Sequence, residues 1–201
     1  MNNRRKLVIA LGASALASHL TSFAQQPERV RRIGALINLA EGDQESKIQV
    51  AAFVRGLQEL GWTVGRNVVI DYRWTEGNAD RVRKYAAELV ALSPDVLLTT
   101  GGSHVGPLQQ ATRSVPIVFI QTADPVGGGL VESLARPGGN TTGFTVFEFD
   151  IGAKWLELLK EIAPRVKRVA VLRDPTNPSG TGLMGAIQAV APSLGVEVSS
   201  P

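Results

Sequence analysis

The chain has no cysteine and only two histidines in 201 residues. The first absence excludes a disulfide, a thiolate metal site and a lipid-modified cysteine. The second leaves His104 as the only histidine beyond the first 24 residues, too few ligands for a histidine-built zinc site. Aromatic residues are sparse, at 5%. A strong excess of one charge is also missing. Residues 1–24 hold three of the 21 basic residues and none of the 18 acidic ones, so the remainder is balanced. A neutral chain has no electrostatic reason to seek nucleic acid or anionic lipid. No apolar run is long enough to span a bilayer; the longest, residues 7–18, has about a dozen residues where roughly 20 are needed.

That short run is informative in another way. It follows the basic Arg4-Arg5-Lys6 and precedes Ser22-Phe23-Ala24, which has small residues at the two positions a signal peptidase reads. The three parts make a secretory signal peptide over residues 1–24. The mature chain then starts at Gln25, and a soluble, cysteine-free export product points to the periplasm. The Arg pair also fits a twin-arginine signal, and the sequence does not separate the two export routes.

Beyond residue 30, strands and helices alternate. Apolar or β-branched runs at 33–39, 67–74, 95–100 and 115–121 read as strands. Helical spacing covers 44–60, stopped at Gly61, and 80–92, capped by Asn78 or Asp80 and broken at Ser93-Pro94. Gly101-Gly102-Ser103 turns into a further helix that runs to residue 112. The stretch 122–143 is rich in Gly and Pro, with a short helix expected over 126–134 and a fifth strand over 141–147. Fourfold strand–helix alternation is the sequence form of a doubly wound parallel sheet. After residue 150 the pattern restarts: helix 154–162, strand 167–173, helix 179–191 and strand 195–199. The domain reading is therefore a signal peptide at 1–24, an α/β ligand-binding lobe at 25–150, and a crossover helix with a partial second lobe at 151–201. The second lobe reads as cut short. Such a chain is expected to fold its first lobe, with weak amide protection after residue 165, and to bind solute poorly.

Ligands of open parallel sheets bind outside the carboxyl ends of the strands. That rule selects the loops 38–43, 101–105 and 122–128. In the second loop, Gly101-Gly102-Ser103-His104-Val105-Gly106 misses the G-x-G-x-x-G pattern of a dinucleotide site, since position 103 is Ser, and lacks the Lys-Ser/Thr of a P-loop. Its amides suit a carboxylate or simply a tight turn. Ser103 and His104 are adjacent, and side chains of neighbours at a helix start diverge, so they do not form a nucleophile–base pair. Asp124 precedes Pro125 and fits both a helix cap and an acceptor for a ligand amine or hydroxyl.

Several segments together resemble a known family: RRIGALI (31–37), FVRGLQELGWTVGRNVVIDYRW (53–74), LQQATRSVPIVFIQTADPVGGGLVESLARPGGNTTGF (108–144) and KWLELLKEIAPRVKRVAVLRDP (154–175). They resemble the ABC-transporter substrate-binding family that includes tryptophan- and tyrosine-type binding proteins. The resemblance implies a type I periplasmic-binding-protein fold, with two α/β lobes that close on a small solute. It implies no enzyme activity, no cofactor, a monomer, and an inner-membrane ABC permease as partner. Carried over position by position, the ligand contacts are Asn38, Gly102, Ser103, His104, Thr122 and Asp124 in lobe one, with Asp174 and Asn177 in lobe two. His104 departs from the small or apolar residue found in many members. The alternatives are an exported sensory ligand-binding module and a doubly wound α/β enzyme. An enzyme would need a convergent acid, base or nucleophile set, and none is evident beyond Asp124 and His104.

Overall fold

The computed structural model describes residues 29–173 and 178–200. Residues 1–24, Asp174 and Asn177 lie outside the described residues. Five strands form one sheet: β1 (Arg31–Ile37), β2 (Val68–Trp74), β3 (Val96–Thr100), β4 (Ile117–Thr122) and β5 (Thr141–Thr145). Their order is β2-β1-β3-β4-β5, and every neighbouring pair is parallel. The four strands expected from β-branched and apolar runs are therefore present and parallel. The fifth expected strand is β5, which ends two residues before the expected 141–147.

Parallel strands need covering on both faces, and adjacent side chains of β3 supply both. Leu97 joins Leu36 and Ile117 beneath α2 (Ala79–Ala91) and α3 (Val105–Ala111), where Val82, Ala86, Leu89 and Leu108 complete a buried cluster. Leu98 faces the other way, with Ile33 and Val68, and packs against Phe53 and Leu57 of α1 (Gln44–Glu59). Asn78 caps α2: its side-chain oxygen accepts from the Asp80 and Arg81 amides, both at 3.0 Å.

A second, two-stranded parallel sheet pairs β6 (Arg168–Ala170) with β7 (Glu197–Ser199). Helices α4 (Ile151–Ile162) and α5 (Pro178–Val190) accompany it. Leu156, Ile187, Ala191 and Val196 form its buried apolar cluster, while its strands are largely exposed.

One element expected from the sequence does not form. Residues 126–134 are turns, not a helix. Gly127, Gly128 and Gly129 fall in the first turn, where three flexible residues make nucleation too costly. The backbone instead closes single turns, with the Gly128 and Leu130 amides donating to the Asp124 and Pro125 carbonyls.

Candidate functional site

In the strand order 2-1-3-4-5, the chain leaves β1 toward β2 on one side and enters β3 on the other. The crevice outside the carboxyl ends of β1 and β3 is thus the topological switch point. A cavity of about 450 Å³ lies there. Asn38 enters it from the end of β1, Gly101, Gly102 and Ser103 from the end of β3, and Gln121 and Ala123 from the end of β4. Glu45 and Gln49 of α1 form one wall; Val146 and Phe147, just after β5, form another. The opposite side is closed by Arg173, Ser179, Gly180 and Leu183 from the second sheet unit. Glu45 and Arg173 are the two charged side chains among the described lining residues. A neighbouring cavity of about 280 Å³ shares Gly102, Ala123 and Ser179, and has Gly127, Gly128, Gly182, Leu130 and Phe149 around it.

Backbone geometry sets the lining. Gly101 has φ 81°, a value a side chain would resist, and its amide donates to the Ile120 carbonyl at 2.9 Å. This sharp exit from β3 sends the chain into a short 3-10 turn, Gly102–His104, ahead of α3. Ser103 is exposed on that turn and His104 points the opposite way, into the core with no exposed surface. The β4–β5 ladder breaks register between Phe119 and Thr122, and within the break Gln121 has φ 56°. A non-glycine residue held there costs about 1–3 kcal/mol, and such strain gathers where a side chain must be aimed. Here it exposes Gln121 to the cavity. The bonds that hold it come from Val146 N–H and Thr145 Oγ1, both donating to the Thr122 carbonyl at 3.0 Å.

The residues expected to contact ligand fall into distinct environments. Asn38, Gly102 and Ser103 line the cavity. Thr122 is fully buried, its methyl against Gly102 and its Oγ1 without a partner among the described residues. Asp124, half-buried with φ 33°, spends both carboxylate oxygens on backbone: Oδ1 accepts from Gly127 N–H at 2.7 Å and Oδ2 from Phe149 N–H at 3.3 Å. It clamps the loop after β4 to the segment before α4, a wider role than the helix cap its Pro neighbour suggests. His104 is a core residue and does not line the cavity. Its Nε2 lies 3.0 Å from Thr75 Oγ1, and burial pulls its pKa down to about 4 against the opposing pull of the Leu36 and Thr100 carbonyls. The ring is neutral at neutral pH. Sequence reading passed over Glu45, Gln49, Gln121 and Arg173. Arg173, at the end of the predicted strand 167–173, falls under the same carboxyl-end rule that selected Asn38; Glu45 reads only as a first-turn helix acid.

Comparison with known proteins decides the relationship. The ABC transporter substrate binding protein family matches residues 35–200. The chain belongs to this family of substrate-binding proteins. It is 30% identical over 121 residues to the tyrosine-binding protein of Clostridioides difficile (strain R20291), covering 60% of this chain and 34% of that one. Two solved structures share its fold closely. A conserved domain protein from Vibrio cholerae is 28% identical with a TM-score of 0.75, over 86% of this chain and 57% of that chain. An ABC domain in complex with L-Trp from Streptococcus pneumonia is 26% identical with a TM-score of 0.73, over 85% and 56%. The chain therefore spans about a third of the curated relative and just over half of each solved structure. The fold is that of type I periplasmic binding proteins, a parallel lobe with alternating helices. No helix among the described residues is long and apolar enough to cross a membrane.

Proposed function

We propose that this chain supplies the solute-binding cleft of an exported capture protein that serves an ABC importer, and that the solute is an amino-acid zwitterion. One observation carries the reading: a cavity at the topological switch point in which Glu45 and Arg173 are the charged lining residues among those described, one of each sign. Such a pair suits an ammonium and a carboxylate on one small molecule. Asn38, Ser103 and Gln121 add neutral polar groups around them. The relatives named for tyrosine and for bound L-Trp favour an aromatic amino acid, and the glycine-bordered side cavity with Leu130 and Phe149 gives a flat side chain room. Export through residues 1–24, a periplasmic monomer starting at Gln25, and handover to an inner-membrane permease complete the proposal. Asp174 and Asn177, in the segment that follows Arg173 in sequence, remain proposed contacts.

The test is an NMR titration of the chain with L-tryptophan, L-tyrosine and L-leucine, which registers weak binding. Asn38, Ser103 and Gln121 amides should shift, and Arg173→Gln should weaken the effect by roughly 1.5–3 kcal/mol, the worth of a hydrogen bond to a charged group. Cleft amides that stay still with every amino acid would sink the reading. Affinity below that of relatives is expected, because the second sheet unit closes only one side of the cavity.

A further inference from the structure

Resting on the reading of this cavity as the binding site, we propose that His104 is a positioning residue for it: its ring, through Thr75, ties together the ends of β1, β2 and β3 and fixes the loops that present Asn38 and Ser103. The three strand ends meet at one carbonyl. Ile37 O, the last of β1, accepts from Thr75 N–H at 2.9 Å and from Thr75 Oγ1 at 3.2 Å. Thr75 follows β2 directly. With its hydroxyl proton committed to Ile37, Thr75 Oγ1 is left as an acceptor for His104 Nε2–H at 3.0 Å. His104 closes the turn that leaves β3, so the path runs from β1 through β2 to β3 in two hydrogen bonds.

The residues next to these anchors are the ones in the cavity. Asn38 adjoins Ile37, its amide donates to Thr100 Oγ1 at 2.8 Å, and its carbonyl accepts from Gly77 N–H at 3.1 Å. Ser103 adjoins His104 on a three-residue 3-10 turn whose closing bond, His104 N–H to Gly101 O, is long at 3.5 Å. A second backbone bond, Val105 N–H to Gly102 O, continues the turn into α3, and the buried imidazole adds a side-chain anchor to the strand ends. Thr75 and His104 both have no exposed surface, so water does not compete for the bond. Thr75 is the side-chain hydrogen-bond partner of the ring, and the Leu36 and Thr100 carbonyls lie near it as backbone neighbours.

Hydrogen exchange tests this without a ligand. His104→Leu and Thr75→Val each remove one partner of the link; His104→Gln keeps a side-chain N–H that can reach Thr75. Amides at 38–41 and 101–105 should exchange about tenfold faster in the first two variants, the upper worth of one neutral hydrogen bond. The double variant should add little, and His104→Gln should stay near the parent. Unchanged loops, a uniform rise that includes α2 and β3 amides, or additive effects would overturn the proposal. If His104→Leu does not fold, the isosteric Thr75→Val with His104→Gln decides it. A parent chain that binds no amino acid in the titration overturns the functional reading alone, since the exchange result stands without it.

Discussion

The two sheets of this chain use the same βαβ grammar with very different results. In the first, β1 shows five consecutive buried residues, and Leu36, Leu97 and Ile117 have no exposed surface. In the second, β6 and β7 each have only their middle residue half-buried. The difference is one of neighbours. Each inner strand of the five has a partner on both sides and helices on both faces, so every side chain finds a wall. A two-stranded sheet has two open edges, and Trp155, Leu158, Ile162 and Leu172 remain exposed beside it. Isolated two-stranded sheets are marginal in water. Yet Arg173 and α5, which close the cavity, come from this weaker unit. The cavity is thus built between a densely packed half and a sparsely packed one.

The strongest way to break the comparison is to empty the densely packed core. Phe119→Ala removes a large buried side chain packed with Val105 and Val131, and should cost about 3–5 kcal/mol in urea unfolding. The half-buried Val169→Ala should cost well under that. Equal losses would mean that the two sheets are equally well packed.

Titration gives a second probe, confined to the first sheet. His104 has its folded pKa lowered to about 4 from an ordinary 6.5. The unfolded chain therefore binds the proton first, and the native advantage is complete above about pH 6.5 and lost as pH falls toward 4. Its full size is roughly 3 kcal/mol. Stability curves of the parent should steepen through that window relative to His104→Gln. Parallel curves would show a ring that is not held neutral.

Sharper discrimination comes from Gly182, where a Cβ would sit 2.2 Å from the Phe149 ring. Gly182→Ala should displace α5 at a cost of about 1–3 kcal/mol. Exchange should rise at 178–199 while amides at 31–37 keep their protection. Loss of protection in both would show that the sheets unfold as one unit.

The smallest expected effect is Asn78→Ala, which leaves two α2 amides without their acceptor, at about 1 kcal/mol in thermal unfolding. It should touch the first sheet only, because α2 packs on Leu36 and Leu97.

Much of the frame was legible because its causes are local. β-branched runs, helical spacing, the Asn78 cap and the Ser93-Pro94 break place β1 to β4 and their helices, and the carboxyl-end rule finds Asn38, Gly102 and Ser103. The expected helix at 126–134 failed on the glycines themselves, which the apolar residues around them outweighed in the reading. Thr122 and His104 lie on the right loops, but their side chains turn inward, and loop membership does not show direction.

By itself the sequence determined the alternation of strands and helices, the parallel sheet and the family, because period and turn chemistry act over a few residues. Only the tertiary structure decided which side chains face the cavity. Asp124 could be seen as a clamp only once Phe149, 25 residues on, was brought against it. His104 became an anchor because Thr75 and Ile37 arrive beside it from other strands, and Glu45 and Arg173 come to line one cavity from elements far apart in the chain. These roles arise from partners far apart in the chain, set by the packing of two sheets, and no local pattern encodes them.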